Sequence, residues 1–397
     1  MKLMTRFTLF VLLFTLIAGA QLVFTEQASS AAFTPGDLVV YRVGDPLNPI
    51  TTSGTSAPIF LDEYTTTGSL VQSIAVPPSG TNMMSASMTA TSEGLISLSS
   101  DANYLMFTGY RAAPNTASVA STDASLVPRV VASIDAWGNI VTRNLGPTTF
   151  SGNNIRSATS TNGSDVWVSG VVASGSGIGG VLYLSFGGSG ETQLAASPND
   201  TRQLAIYNNQ LYTSSDKGTN SFKGIDVVGS GLPTTGGQTV VRLPGLTDTL
   251  DPSDFSFFMA DLSPSVSGLD TMYIADDDKT AGGLFKYSLV NGNWVLTGSK
   301  AVGNNNKYRG LTGTVSGGTV SLYATRKDGA ELASLVDTNG YNATISGSFN
   351  LIDTAGTNTA FRGVAFVPVP EPSAVILLIA GFFAGLGYLR LRCKRNA

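Results

Sequence analysis

The sequence predicts an all-β fold built from repeated four-stranded units, and three observations carry that prediction. No interior stretch of about 12 or more residues sustains a helical period, and the 45 glycines of the 397-residue chain interrupt nearly every candidate. A polar turn, an Arg, a small residue and an apolar run recur together, as Asn154-Ile155-Arg156-Ser157-Ala158, Asp200-Thr201-Arg202-Gln203-Leu204, Lys307-Tyr308-Arg309-Gly310-Leu311 and Ala360-Phe361-Arg362-Gly363-Val364. Apolar runs are also joined by hairpin turns. Run 131–135 turns at Gly138-Asn139 into 140–143, and run 284–289 turns at Asn291-Gly292 into 294–297.

Two degenerate copies, at Glu93 and Phe255, complete the register at 93, 156, 202, 255, 309 and 362. The last three steps are 53 or 54 residues; the first two, 63 and 46, differ as loop insertions and deletions make them. An aromatic-bearing run follows each of the first five copies, at 104–107, 166–168, 211–212, 272–274 and 322–324. Four strands in a unit of this length is the sequence form of a propeller blade. Five blades are complete, at 93–144, 155–196, 202–243, 255–299 and 308–353. The remaining one must be assembled from both ends, with 361–367 innermost and 37–43, 59–64 and 70–76 outside it. The expected fold is therefore an all-β six-bladed β-propeller over 33–367, closed by N- and C-terminal strands. The same runs also fit a β-sandwich, two tandem β domains or a seven-bladed ring.

The two ends read as targeting segments. Lys2 and Arg6 precede an apolar run at 7–18, and small residues follow at Ala18-Gly19-Ala20 and Ser30-Ala31-Ala32. This is the layout of a signal peptide over 1–32, cut after Ala20 or Ala32. No Cys lies near either site, which excludes lipoprotein processing. At the other end, Pro370-Glu371-Pro372 leads into a largely apolar run at 374–389 and then Arg390, Arg392, Lys394 and Arg395. The run is slightly short for a transmembrane helix, but its basic end can snorkel to the headgroups and stay cytoplasmic.

The tail over 368–397 resembles the PEP-CTERM sorting signal of Gram-negative envelopes: a Pro-Glu-Pro motif, one membrane helix and a short basic end. The resemblance implies an exosortase-type membrane protease or transpeptidase as partner, acting near Pro370, Glu371 and Pro372. It implies transient anchoring in the inner membrane and release to the cell surface or extracellular matrix. An ordinary tail anchor is the alternative.

Composition excludes several chemistries. With no His and only Cys393, the chain has no imidazole site, no Ser-His-Asp or Cys-His arrangement, no disulfide scaffold and no thiolate cluster. Of 23 basic and 27 acidic residues the two end segments hold six and two, which leaves the interior near −8 and a poor partner for nucleic acid.

Arg156, Arg202, Arg309 and Arg362 start the strand that lines the channel, so they should meet at one mouth. Guanidinium forks there suit an acidic group, such as a uronic-acid unit of an exopolysaccharide, or else brace the ring through Asp and carbonyl partners. Asp276-Asp277-Asp278, with Asp248, Asp251 and Asp254 nearby, reads as a Ca²⁺ loop or a solvated acidic turn; no other cofactor is expected. Asp62 and Glu63 adjoin on a strand and face opposite ways, which spoils them as an acid–base pair. Trp137, Trp167 and Trp294 sit in or beside strands and read as core. The expected function is a non-catalytic binding or scaffolding propeller outside the cell. A polysaccharide lyase or glycosidase and a purely structural biofilm protein are the rivals.

Overall fold

The protein is described by a computed structural model over residues 31–47, 54–175, 177–216, 223–247, 253–278, 282–301 and 307–370. The signal segment before residue 31, Asp248 and Asp251, Glu371 and Pro372, and the apolar tail run lie outside these residues.

Six four-stranded antiparallel sheets form the blades, named here from the N-terminus and given from channel to rim. Blade 1 is Ala360–Phe366, Leu38–Val43, Ile59–Tyr64 and Leu70–Ala75. Blade 2 is Ser97–Leu98, Tyr104–Tyr110, Arg129–Asp135 and Ile140–Asn144. Blade 3 is Ile155–Ser160, Asp165–Gly170, Gly180–Ser185 and Glu191–Ala195. Blade 4 is Thr201–Tyr207, Gln210–Ser215, Gly224–Val228 and Val240–Arg242. Blade 5 is Asp254–Ala260, Thr271–Asp276, Gly283–Val290 and Asn293–Ala301, and blade 6 is Tyr308–Ser316, Thr319–Arg326, Glu331–Asp337 and Asn350–Thr354. The described residues contain no helix. One addition was not foreseen: Ser56–Ala57 pairs with Ala86–Ser87 in a small separate sheet.

The expected six-bladed ring, with its expected strands, is what forms. In blade 1 the last strand of the chain pairs antiparallel with the first, Val40 opposite Val364 and Leu38 opposite Phe366. The hairpin turns also follow the sequence chemistry: Asn291 and Gly292 both take positive φ, 50° and 79°, the type I′ geometry that matches strand twist.

Second strands are apolar on both faces because each is sandwiched between two interfaces. Leu105 and Phe107 pack toward blade 1, whereas Met106 and Tyr110 pack toward blade 3. Six apolar clusters result, one at each blade-to-blade seam. The last joins Leu38, Val40 and Val364 of blade 1 to Tyr323 and Leu332 of blade 6. Every blade thus buries two faces only because the ring is shut, and an open seam would expose a whole sheet face to water.

A chain stopped after Thr359 is expected to lose the cooperative thermal transition and to aggregate in size-exclusion chromatography. One stopped after Pro370 keeps the full-length transition. Equal melting of both would contradict this closure.

Candidate functional site

The innermost strands share a local irregularity that aims their side chains. Pairing with the second strand slips between Ile155 and Ser157, Thr201 and Leu204, Asp254 and Phe257, and Tyr308 and Gly310; in blade 1 it slips at Arg362-Gly363. The recurring Arg, or Phe255 in blade 5, is therefore a β-bulge residue, and a bulge re-aims its side chain. In blades 6 and 1 the glycine after it lets the neighbouring strand approach. A Cβ on Gly363 would lie 2.5 Å from Ile96 N, and one on Gly310 would lie 2.7 Å from the Arg362 carbonyl. The bulge carbonyls are latched by the preceding blade: the Ser169, Ser214 and Thr325 hydroxyls donate to the carbonyls of Arg202, Phe255 and Arg362.

The four arginines are brought to one mouth, and three are 4–7% exposed: Arg156, Arg202 and Arg362. Each bridges elements. Arg156 pairs with Asp200 at the start of blade 4. Arg202 pairs with Asp216 at 2.5 Å and donates to Ser253 Oγ and the Asp254 carbonyl at the start of blade 5. Arg309 pairs with Asp277 of blade 5 at 2.6 Å and reaches past blade 1 to Thr91 Oγ1 at 2.5 Å. Arg362 donates to the Met88 carbonyl. Phe255 is held between two guanidiniums, Arg202 at 3.9 Å and Arg309 at 4.3 Å from its ring centre. Burial, partly offset by Asp200, pushes Arg156 down to about 10; it stays charged at neutral pH. Glu93 occupies the equivalent place in blade 2. It accepts from Tyr110 Oη at 2.6 Å and Ser87 N at 2.5 Å, while burial raises its carboxyl to about 7.

Beyond this plug the channel is a neutral well of about 260 Å³, bounded by the C-terminal halves of the innermost strands, among them Ser97–Ser100, Ala205–Tyr207 and Val364–Phe366. No Asp, Glu, Lys or Arg lines it.

The acidic run does not converge on one centre. Asp276 accepts from Ser253 N and Asp278 N and pairs across strands with Asp254, whereas Asp277 is committed to Arg309, Lys327 and Ser253. Among the described residues no group of three or more Asp, Glu, His or Cys side chains is placed to hold a metal ion. Asp254 and Asp276 line a cavity of about 420 Å³ with Trp294, Tyr287 and Phe285. Burial and the neighbouring Asp276 raise the Asp254 carboxyl well above the usual range.

Asp62 and Glu63 have separate partners, Arg42 and Gln72. One reading is corrected: Trp167 and Trp294 are buried, but Trp137 is 58% exposed. It sits at a hairpin tip whose amides are tied to Asp135 Oδ1, so its ring has no seam to enter.

No known sequence family and no curated protein matches the chain. Solved structures show a distant likeness. Dihydro-heme d1 dehydrogenase NirN is 12% identical with TM-score 0.40, over 87% of this chain and 58% of that one. The hemagglutinin-neuraminidase ectodomain of parainfluenza virus 5 is 10% identical with TM-score 0.41, over 85% and 84%. A quinonprotein alcohol dehydrogenase-like protein from Bacteroides thetaiotaomicron is 11% identical with TM-score 0.34, over 87% and 98%. The chain thus spans little more than half of the first. None of these likenesses bears on chemistry.

Two outcomes follow from the mouth and from Asp226, a buried carboxyl on the third strand of blade 4. Arg309→Met breaks a largely buried pair and should cost about 3 kcal/mol in urea denaturation, with part of the loss recovered by adding Asp277→Asn. Glu93, raised to about 7, and Asp226, raised to about 8 by burial, bind protons more tightly folded than unfolded. Their stabilisation is complete at low pH and is lost as pH rises toward 8. The denaturation midpoint should therefore fall from about pH 4 to about pH 8, and Glu93→Gln with Asp226→Asn should flatten that fall.

Proposed function

We propose that the protein is an exported, non-catalytic scaffold, sorted through its Pro370-Glu371-Pro372 tail by an exosortase-type membrane enzyme and displayed at the cell surface or in the extracellular matrix. The observation that carries the scaffolding part is the state of the mouth. Arg156, Arg202 and Arg309 are paired with Asp200, Asp216 and Asp277, and the buried Arg362 donates to the Met88 carbonyl, so these guanidiniums tie one part of the ring to the next. A closed ring braced in this way suits presentation. The sorting part is supported by the order of features in the tail: motif, apolar run, basic end.

In a host carrying an exosortase-type enzyme, the wild-type chain should leave the membrane fraction, while Glu371→Ala stays there at full length. Retention of the wild type in that host would refute the sorting. Arg202→Ala and Arg309→Ala should lower the melting temperature without changing retention on acidic exopolysaccharide. Release of oligosaccharide by the wild type would point to an enzyme instead.

A further inference from the structure

The two faces of the ring differ in charge. Each innermost strand runs from the arginine mouth toward the neutral well, so the turns from first to second strand and from third to fourth lie on the well side. Those turns, from 65–69 in blade 1 through 99–103, 136–139 and 161–164 to 338–349 in blade 6, contain Ser, Thr, Asn and Gly but no Lys or Arg. Their only carboxylates are Asp101, Asp261 and Asp270. The mouth arginines, Arg111, Lys223, Lys307 and Lys327 all belong to the other side.

Both ends of the described chain sit on this face, whose turns have no basic residue. Phe33 N donates to the Ala136 carbonyl at 2.9 Å, Val367 N to Asp37 at 3.0 Å and Val369 N to Ala102 at 2.8 Å. The chain is thus pinned to the propeller up to one residue before the Pro370 motif, without a spacer. Large apolar side chains stand exposed around this exit: Leu70 and Val71 beside turn 65–69, Trp137 and Val141 at turn 136–139, and Leu351 of the adjoining blade 6. Gly68 abuts Ile352, which makes the blade 6 and blade 1 parts continuous.

From Pro370 to Ala374, where the apolar run starts, the chain can reach only about 14 Å. We infer that this face, which carries carboxylates but no basic residue in its turns, rests on the lipid bilayer while the tail is inserted, with Trp137 in the interfacial layer. This rests on the tail-anchor reading above. An indole beside aliphatic side chains suits that layer. Without basic residues the contact gains nothing from anionic lipid, so it lasts only as long as the tether and ends when the tail is cut.

The test uses the full chain reconstituted in phosphatidylcholine vesicles, with flotation to establish tail insertion. Trp167 and Trp294 are buried, so acrylamide reports mainly on Trp137. In floating protein, brominated phosphatidylcholine should quench the Trp137 emission by about twofold, acrylamide access should fall, and 0.5 M salt (about a 4 Å screening length) should change neither. Trp137→Phe should remove the quenched component. Protein that does not float refutes the anchor and this inference together. Floating protein whose Trp137 stays open to acrylamide and unquenched refutes the inference alone. If Trp137→Ala then still slows processing, the face docks the processing enzyme, not lipid.

Discussion

The ring depends on one pairing: the strand that ends the domain hydrogen-bonds to the strand that begins it, Val364 opposite Val40. All other blades are local meanders whose strands find each other within short hairpins. Only blade 1 joins segments more than 300 residues apart, so it bears a loop-closure cost that the others avoid. What offsets that cost is the burial of two seams at once, blade 6 against blade 1 and blade 1 against blade 2.

The bulges supply a second layer of restraint. By turning one side chain in each of five blades into the mouth, they place four long, planar cations and Phe255 there, and in blades 1, 4 and 5 they offer a carbonyl to a hydroxyl of the preceding blade. The bracing is polar and directional, whereas the seams are apolar and tolerant of sliding. Buried ion pairs are weak contributors to net stability, but they penalise wrong registers because a displaced guanidinium would be left without its partner. Lys286 and Asp337, fully buried and 2.7 Å apart, play the same part between blades 5 and 6, with Tyr273 also donating to Asp337.

Much of this was legible in the sequence because the signals were local. Asn291-Gly292 and Gly138-Asn139 set hairpins, the Arg-small pairs set the register, and strands left over at both ends implied the closing blade. The bulges were less legible: Arg-Ser and Arg-Gly mark them, but only a residue count against the facing strand reveals the extra residue. Partners such as Asp216 or Thr91 lie in connections whose path no periodicity dictates. Trp137 was misjudged since strand proximity says nothing about whether a seam lies beside a hairpin tip. The polarity of the two faces was written in the turns all along, yet it has meaning only once antiparallel topology sorts those turns onto sides.

Residue-level hydrogen exchange tests the closure most directly. Amides of Leu38–Val43 and Ala360–Phe366 should exchange only through global unfolding, as slowly as those of Asp165–Gly170 and Thr271–Asp276. Exchange in the two terminal strands that is orders of magnitude faster, through an opening that leaves the other blades protected, would contradict a ring held shut by its own ends.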